Sequence, residues 1–207
     1  MDVHAPHEPV HTWRDFAIHL TVVTIGLFIA LSLEALVEHL HQRHLLHTAE
    51  TNLRIELRDN REYLADDEHH LDLTEAHLQQ DVALLTARKS NPALPDTLNF
   101  GWHWDGLQDS AWTTARDSSA LALMPFDNQQ GWSSIYAQQG GVNQQATVYL
   151  ADIYRAEAPT KGRAFAQLTP TDLDQMIAGT QQTLADLDHL RDLCKSLDVI
   201  YKRTGVL

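Results

Sequence analysis

Four histidines, His39, His41, His44 and His47, crowd into one short stretch beside Glu34 and Glu38. On a helix Glu34, Glu38 and His41 share a face, since residues three and four apart are neighbours there. Glu38-x-x-His41 is half of a pattern known from helical bundles. In that pattern a Glu-x-x-His from each of two helices joins a Glu from each of two more to hold two iron ions. The nearest candidate for the second half is Asp186-x-x-His189, which carries Asp in place of Glu. Glu34, Glu38, His41 and His44 are therefore the residues a metal would use here, but a half-pattern assigns no metal and no cofactor. The same imidazoles beside acidic groups would titrate near neutrality and could sense pH. The plainer reading is a polar collar on a helix.

The rest of the chain offers little conventional chemistry. There is no G-x-S-x-G, no phosphate-binding glycine loop, no H-E-x-x-H and no cysteine pair. Asp59 and Asp66-Asp67-Glu68 are spaced like a solvated helix face rather than like paired catalytic acids. Cys194 is the only cysteine and stands among Leu190, Leu193 and Leu197, which reads as a small buried hydrophobe. His4, His7 and His11 lie in a proline-broken tail, where weak metal affinity carries no function. Phe100-Gly101-Trp102-His103-Trp104-Asp105-Gly106 is an aromatic loop that either binds a ligand or, more simply, folds its rings over the end of a bundle. With 28 acidic residues against 15 basic ones and a net charge of −13, the surface repels phosphate backbones, so nucleic acid is not an expected partner.

The element that would position the first histidine cluster is a helix beginning in an uncharged run, Phe16–Leu33. Eighteen residues without Asp, Glu, Lys or Arg are about what a helix needs to cross ~30 Å of hydrocarbon. Leu20, Val22, Val23, Ile25, Leu27, Phe28, Ile29, Leu31 and Leu33 cover all sides, unlike the one-sided pattern of a soluble helix. The leading segment lacks the basic start of a secretory signal, and Ser32-Leu33-Glu34-Ala35 is a poor cleavage site. An uncleaved membrane span fits better, with the lipid bilayer as a partner. Trp13 would sit at the interface. Thr21, Thr24 and Ser32 would bond back to the preceding turn. Gly26 and Ala30 form a small-xxx-small pair that lets two such helices approach. Arg43, Arg54 and Arg58 follow the span and only Arg14 precedes it, which favours a cytoplasmic domain. The short leading segment argues for export, so both orientations stay open.

From Leu27 no Gly or Pro occurs until Pro92, and a helix from Trp13 to about Arg88 would be roughly 110 Å long. Leu57, Leu64, Leu71, Leu78 and Leu85 recur every seven residues, the spacing of one stripe on a coiled-coil seam. Their companions Asn60, Asp67, Thr74 and Asp81 are polar, so no full two-column core is expected. The stripe suits packing against helices of the same chain. Leu46 and Leu53 stand in a different register, which suggests a stutter near Ile55. Asn91-Pro92-Ala93-Leu94-Pro95 ends the helix. Helical signals resume over Leu107–Met124. They resume again from about Asp127 to Ala158, with a break or kink at Gly140-Gly141 and an apolar face of Val142, Ala146, Tyr149, Ile153 and Ala156. Thr169, Pro170 and Asp172 form a helix start with a capping box, and Leu168 and Leu173 stand where a hydrophobic staple would. Leu173, Ile177, Leu184, Leu187, Leu190, Cys194, Leu197 and Tyr201 then line one face.

Trp13-Arg14-Asp15-Phe16, Ile25-Gly26-Leu27-Phe28-Ile29-Ala30-Leu31-Ser32-Leu33-Glu34 and Leu53-Arg54-Ile55-Glu56-Leu57-Arg58-Asp59-Asn60 together resemble a group of uncharacterised bacterial single-span proteins. In that group an IGLxIAL anchor leads into a charged L-x-x-E-[LI]-x-x-N helix. Ser110-Ala111-Trp112-Thr113-Thr114-Ala115 and Ala120-Leu121-Ala122-Leu123-Met124-Pro125 are similar to it as well. The resemblance implies a bacterial inner membrane and an all-α domain, and it brings no activity.

The sequence thus predicts an all-α protein. A flexible tail (1–12) precedes a transmembrane anchor (13–38) and a helical-bundle domain (39–207). The domain comprises a long helix (39–89), a Pro/Trp loop (90–106), middle helices (107–158) and a C-terminal helix (169–204). Three or four further helices would fold back on the long one as an antiparallel bundle. The expected role is a membrane-anchored, non-catalytic protein that self-associates or holds a protein partner. A metal or pH sensor at the juxtamembrane histidines is the alternative, and an enzyme with an unrecognised site is the third.

Overall fold

The computed structural model of the protein describes residues 12–95 and 97–203. The expected tail, with His4, His7 and His11, lies outside the described residues apart from Thr12. Among those described the chain is all-α. Helix α1 covers Trp13–Arg88, α2 Ser110–Asp117, α3 Phe126–Glu157 and α4 Pro170–Arg203, with short 3-10 turns at Ala120–Leu123, Ala158–Thr160 and Phe165–Gln167. The chain divides into two units, Met1–Thr48 and Ala49–Leu207.

In the first unit Thr12 caps α1, its hydroxyl bonding Asp15 Oδ2 at 2.6 Å. The hydroxyls of Thr21, Thr24 and Ser32 donate to the carbonyls of Ala17, Leu20 and Phe28 at 2.7–2.8 Å, as the sequence suggested. Each therefore lowers its own polarity. An 18-residue window here has a mean hydropathy of 2.3, and none of it is buried within the protein. By length and composition this stretch can cross a membrane.

The second unit is a bundle of the Ala49–Arg88 part of α1 with α3 and α4. Leu57, Leu64, Leu71, Leu78 and Leu85 are buried, confirming the leucine stripe. The polar companions are buried too: Asn60, Asp67, Thr74, Asp81 and Arg88 are each 9% exposed or less. Leu53 belongs to this second column, seven residues before Asn60, and is fully buried. The register of Leu46 and Leu53 is therefore that of the second column, and no stutter near Ile55 is needed to account for it. A second column does exist, and its polarity has a separate use described below.

Helix α3 is continuous through Gly140-Gly141, without the expected break. Gln139 and Val142 on either side are buried in one face, and tertiary packing there outweighs the roughly 1 kcal/mol each glycine costs a helix. The helical stretch expected over Leu107–Met124 is shorter, reduced to α2 and one 3-10 turn. Helices α3 and α4 are antiparallel and pack closely at Gly179, where an added Cβ would lie 3.0 Å from Ala156 Cα. At the other end Gln139 Nε2 donates to the Tyr201 hydroxyl at 2.7 Å. Helix α4 opens on the expected capping box. Asp172 Oδ2 accepts the Thr169 N–H at 2.7 Å, and the Asp172 N–H reaches Thr169 Oγ1 at 3.2 Å. Arg191 fastens α4 to α1 through Glu75 at 2.6 Å and Asp72 at 3.1 Å.

Helices α1 and α3 run parallel rather than antiparallel. Tyr136, early in α3, meets Glu56, early in this part of α1, at 2.8 Å. The chain can return to start α3 in that direction because residues 97–109 run back along α1 without helix or strand. This return strap, not a ring of aromatic side chains over one end, is what the Pro/Trp loop becomes.

Candidate functional site

The strap is held by the polar column of α1. Arg88 donates to the carbonyls of Leu94 and of Pro95, the latter at 3.0 Å, and its guanidinium lies 4.3 Å from the Phe165 ring centroid. Both Asp81 carboxylate oxygens accept the Asn99 N–H at 3.0 Å. Asp67 Oδ1 accepts the Asp105 N–H at 2.8 Å. Asn60 takes the Gln108 N–H and gives its own amide to the Gln108 carbonyl, both at 2.7 Å. Beyond it Glu56 Oε2 accepts from Ser110 Oγ and the Ala111 N–H, each at 2.7 Å. Seven helical residues advance about 10.5 Å, and three extended residues about 10 Å. Asn60, Asp67 and Asp81 accordingly meet residues 108, 105 and 99. Asn143 of α3 holds the adjacent Leu107 in the same two-bond manner, at 3.0 and 2.7 Å. Gly106, at φ +79°, supplies the left-handed turn between a residue facing α1 and one facing α3.

Where the strap crosses Asp67, five ionisable side chains converge. Asp66 and His70 come from one turn of α1, with His70 Nε2 3.6 Å from Asp66 Oδ2. His103 and Asp105 come from the strap, with His103 Nε2 3.6 Å from the same Asp66 oxygen and 3.4 Å from Asp105 Oδ2. The two imidazole rings lie 4.1 Å apart between centroids. Donor atoms of Asp66, His70 and His103 lie within 4.8 Å of one another, as do those of Asp67, His103 and Asp105. Among the described residues these are the groups of histidines and carboxylates placed to share one ion.

Two atoms in the cluster lack hydrogen-bond partners although buried: Asp67 Oδ2 and His103 Nε2. The His103 side chain as a whole is 42% exposed, so its ring edge faces outward while Nε2 points inward. Asp67 is fully buried, and that burial pushes its carboxyl up to about 6 despite the opposing Asp105 N–H. A buried carboxylate oxygen without a donor costs free energy unless a proton or cation meets it. The site can thus accept a cation or hold a shared proton.

Glu34, Glu38, His41 and His44 all lie exposed on α1 in the first unit and form no such group. Glu38 instead accepts the Gln42 amide at 2.7 Å. Asp186 and His189 lie on α4 and are not gathered with other ligands. Cys194 is fully buried, and burial pushes its thiol up to about 12, consistent with its reading as a hydrophobe. Trp102 is 40% exposed and packs edge-on against Tyr154 at 6.4 Å, so it covers α3 rather than an end. Asp67, whose spacing suggests a solvated face, is buried instead. The signal that could have found it was its place in the column Asn60, Asp67, Thr74, Asp81, every seventh residue of a helix whose other column is leucine.

No family profile matches the chain, and comparison with curated proteins and with solved structures returns no match.

Proposed function

We propose that the chain is a single-span, membrane-anchored and non-catalytic helical-bundle protein that presents its Ala49–Arg203 domain at a bilayer surface, where it self-associates or holds a protein partner. The observation that carries this reading is the apolar start of α1. Ile25, Leu27, Phe28, Ile29, Leu31 and Leu33 are all more than half exposed, and none of the described residues buries them. An exposed apolar surface of that extent needs a partner phase, and length and composition match hydrocarbon. The resemblance noted above adds a bacterial inner membrane as its location. Glu56 is engaged by Ser110, Ala111 and Tyr136, bonds that serve the fold.

Two measurements test this reading. The protein should stay with membranes through carbonate extraction and leave only with detergent; recovery in the soluble fraction refutes the anchor. Crosslinking in membranes should trap a dimer or a defined heteromer, and a strictly monomeric chain without a co-purifying protein refutes association. A reporter fused at the C-terminus would identify the compartment that holds the domain.

A further inference from the structure

We propose that Asp66, His70, His103 and Asp105 form a binding site for one divalent transition-metal ion of the zinc class, which locks the return strap onto α1. Three features carry this assignment.

The first is spacing. Donors around a tetrahedral ion with bonds of about 2.1 Å lie roughly 3.4 Å from one another. The distances Asp66–His70, Asp66–His103 and His103–Asp105 are 3.6, 3.6 and 3.4 Å; the donors of Asp66, His70 and His103 form one close group, and Asp105 adjoins it through His103. These values are long for hydrogen bonds but suit donors arranged around a central ion.

The second is the uncompensated interior of the cluster. Asp67 is fully buried with Oδ2 lacking a donor, and His103 Nε2 is buried without an acceptor or donor. Asp67, His103 and Asp105 each offer a ligand atom to one mutually close group. Asp66 and Asp105 form their ion pairs with imidazoles, not with a lysine or arginine. An ion beside Asp67 would meet the orphaned oxygen as an added ligand or as a second-shell acceptor.

The third is donor chemistry. Two imidazole nitrogens with carboxylate oxygens suit Zn²⁺ and its first-row neighbours, whereas Ca²⁺ and Mg²⁺ take oxygen sets. The ligands also come in pairs from two chain segments, Asp66 and His70 from α1, His103 and Asp105 from the strap. One ion would therefore crosslink them, and its binding energy would add to domain stability. This inference concerns the Ala49–Leu207 unit and is independent of the membrane reading.

The test uses the full chain in detergent with His4, His7 and His11 replaced by Ala, so that tail binding does not intervene. After stripping with a chelator, Zn²⁺ or Co²⁺ is titrated while metal content, thermal melting and the visible Co²⁺ spectrum are followed. The expected result is one ion per chain and a tetrahedral Co²⁺ spectrum. Tm should rise by about 8 °C or more when free metal is a thousandfold above Kd. Asp66→Asn and His103→Ala should each weaken binding by about 100-fold or more, and His41→Ala with His44→Ala should leave it unchanged. Asp66 is 57% exposed, so its variant keeps the fold if the His103 variant does not. Absence of stoichiometric binding overturns the proposal, and so does binding that survives Asp66→Asn. Stabilisation by acid alone, with no response to metal, also overturns it.

Discussion

Asn60 holds Gln108 by both of its main-chain hydrogen-bonding groups, its side-chain amide imitating the edge of a neighbouring strand. Asn60 itself is completely buried. Asn60→Ala should therefore remove both bonds to the Gln108 main chain, costing about 1–3 kcal/mol in denaturant melts. Asn60→Asp should also be destabilising, because a carboxylate can accept from the Gln108 N–H but repels the Gln108 carbonyl. Equal stability of either variant and the parent would show that the strap is not held at this rung.

Asp81 carries a pH signature. Burial raises its carboxyl above the ordinary value, opposed by the Asn99 N–H and by His77. The unfolded group ionises near 4, so between there and the folded value the native state binds more protons. Stability from this residue is then greatest at low pH, falls as pH rises through that window and is level above it. Asp81→Asn keeps an acceptor for Asn99 and should flatten that part of the profile, with no loss of stability at neutrality. Urea melts of both proteins from pH 4 to 7 provide the comparison, and parallel profiles would contradict the assignment.

Gly179 marks a close approach of α3 to α4. A methyl there would meet the Ala156 backbone at 3.0 Å and its Cβ at 3.1 Å, and neither can rotate away. Gly179→Ala should lower stability by about 1–2 kcal/mol, although alanine is the better helix former by about 1 kcal/mol. By contrast, Gly140→Ala and Gly141→Ala, where nothing lies within 4 Å, should be neutral or stabilising.

Cys194 should resist thiol reagents in the native protein. It is fully buried, its thiol is raised to about 12, and only the thiolate attacks. Labelling should appear together with global unfolding; rapid labelling under native conditions would mean that α4 opens locally.

Much of the bundle is legible in the sequence because burial there coincides with hydrophobicity. Leu57 to Leu85 announce their face, and Thr169 with Asp172 announces the start of α4. The strap is illegible for the converse reason. Asn60, Asp67 and Asp81 are polar, so each reads as solvent-facing, yet they are buried because they meet main-chain groups instead of water. The strap has no period of its own, since its N–H groups bond to side chains far away in sequence rather than to a repeating neighbour. The ionisable cluster was hidden with it. His103 and Asp105 lie more than thirty residues from Asp66 and Asp67, and only the returning chain brings them together. At Gly140-Gly141 local propensity suggested a break, and packing of Gln139 and Val142 overrode it.

The seven-to-three register between α1 and the strap limits how this architecture can change length. One residue inserted between Asn99 and Asp105 would move every rung on one side away from its acceptor. A heptad added to α1 alone would leave an acceptor facing no amide. Length can be altered without loss of pairing only in matched increments, one helical heptad with three strap residues. The domain behaves in this respect like a zip fastener whose two tapes have different pitch, and its natural unit of growth is ten residues contributed from two separate places in the chain.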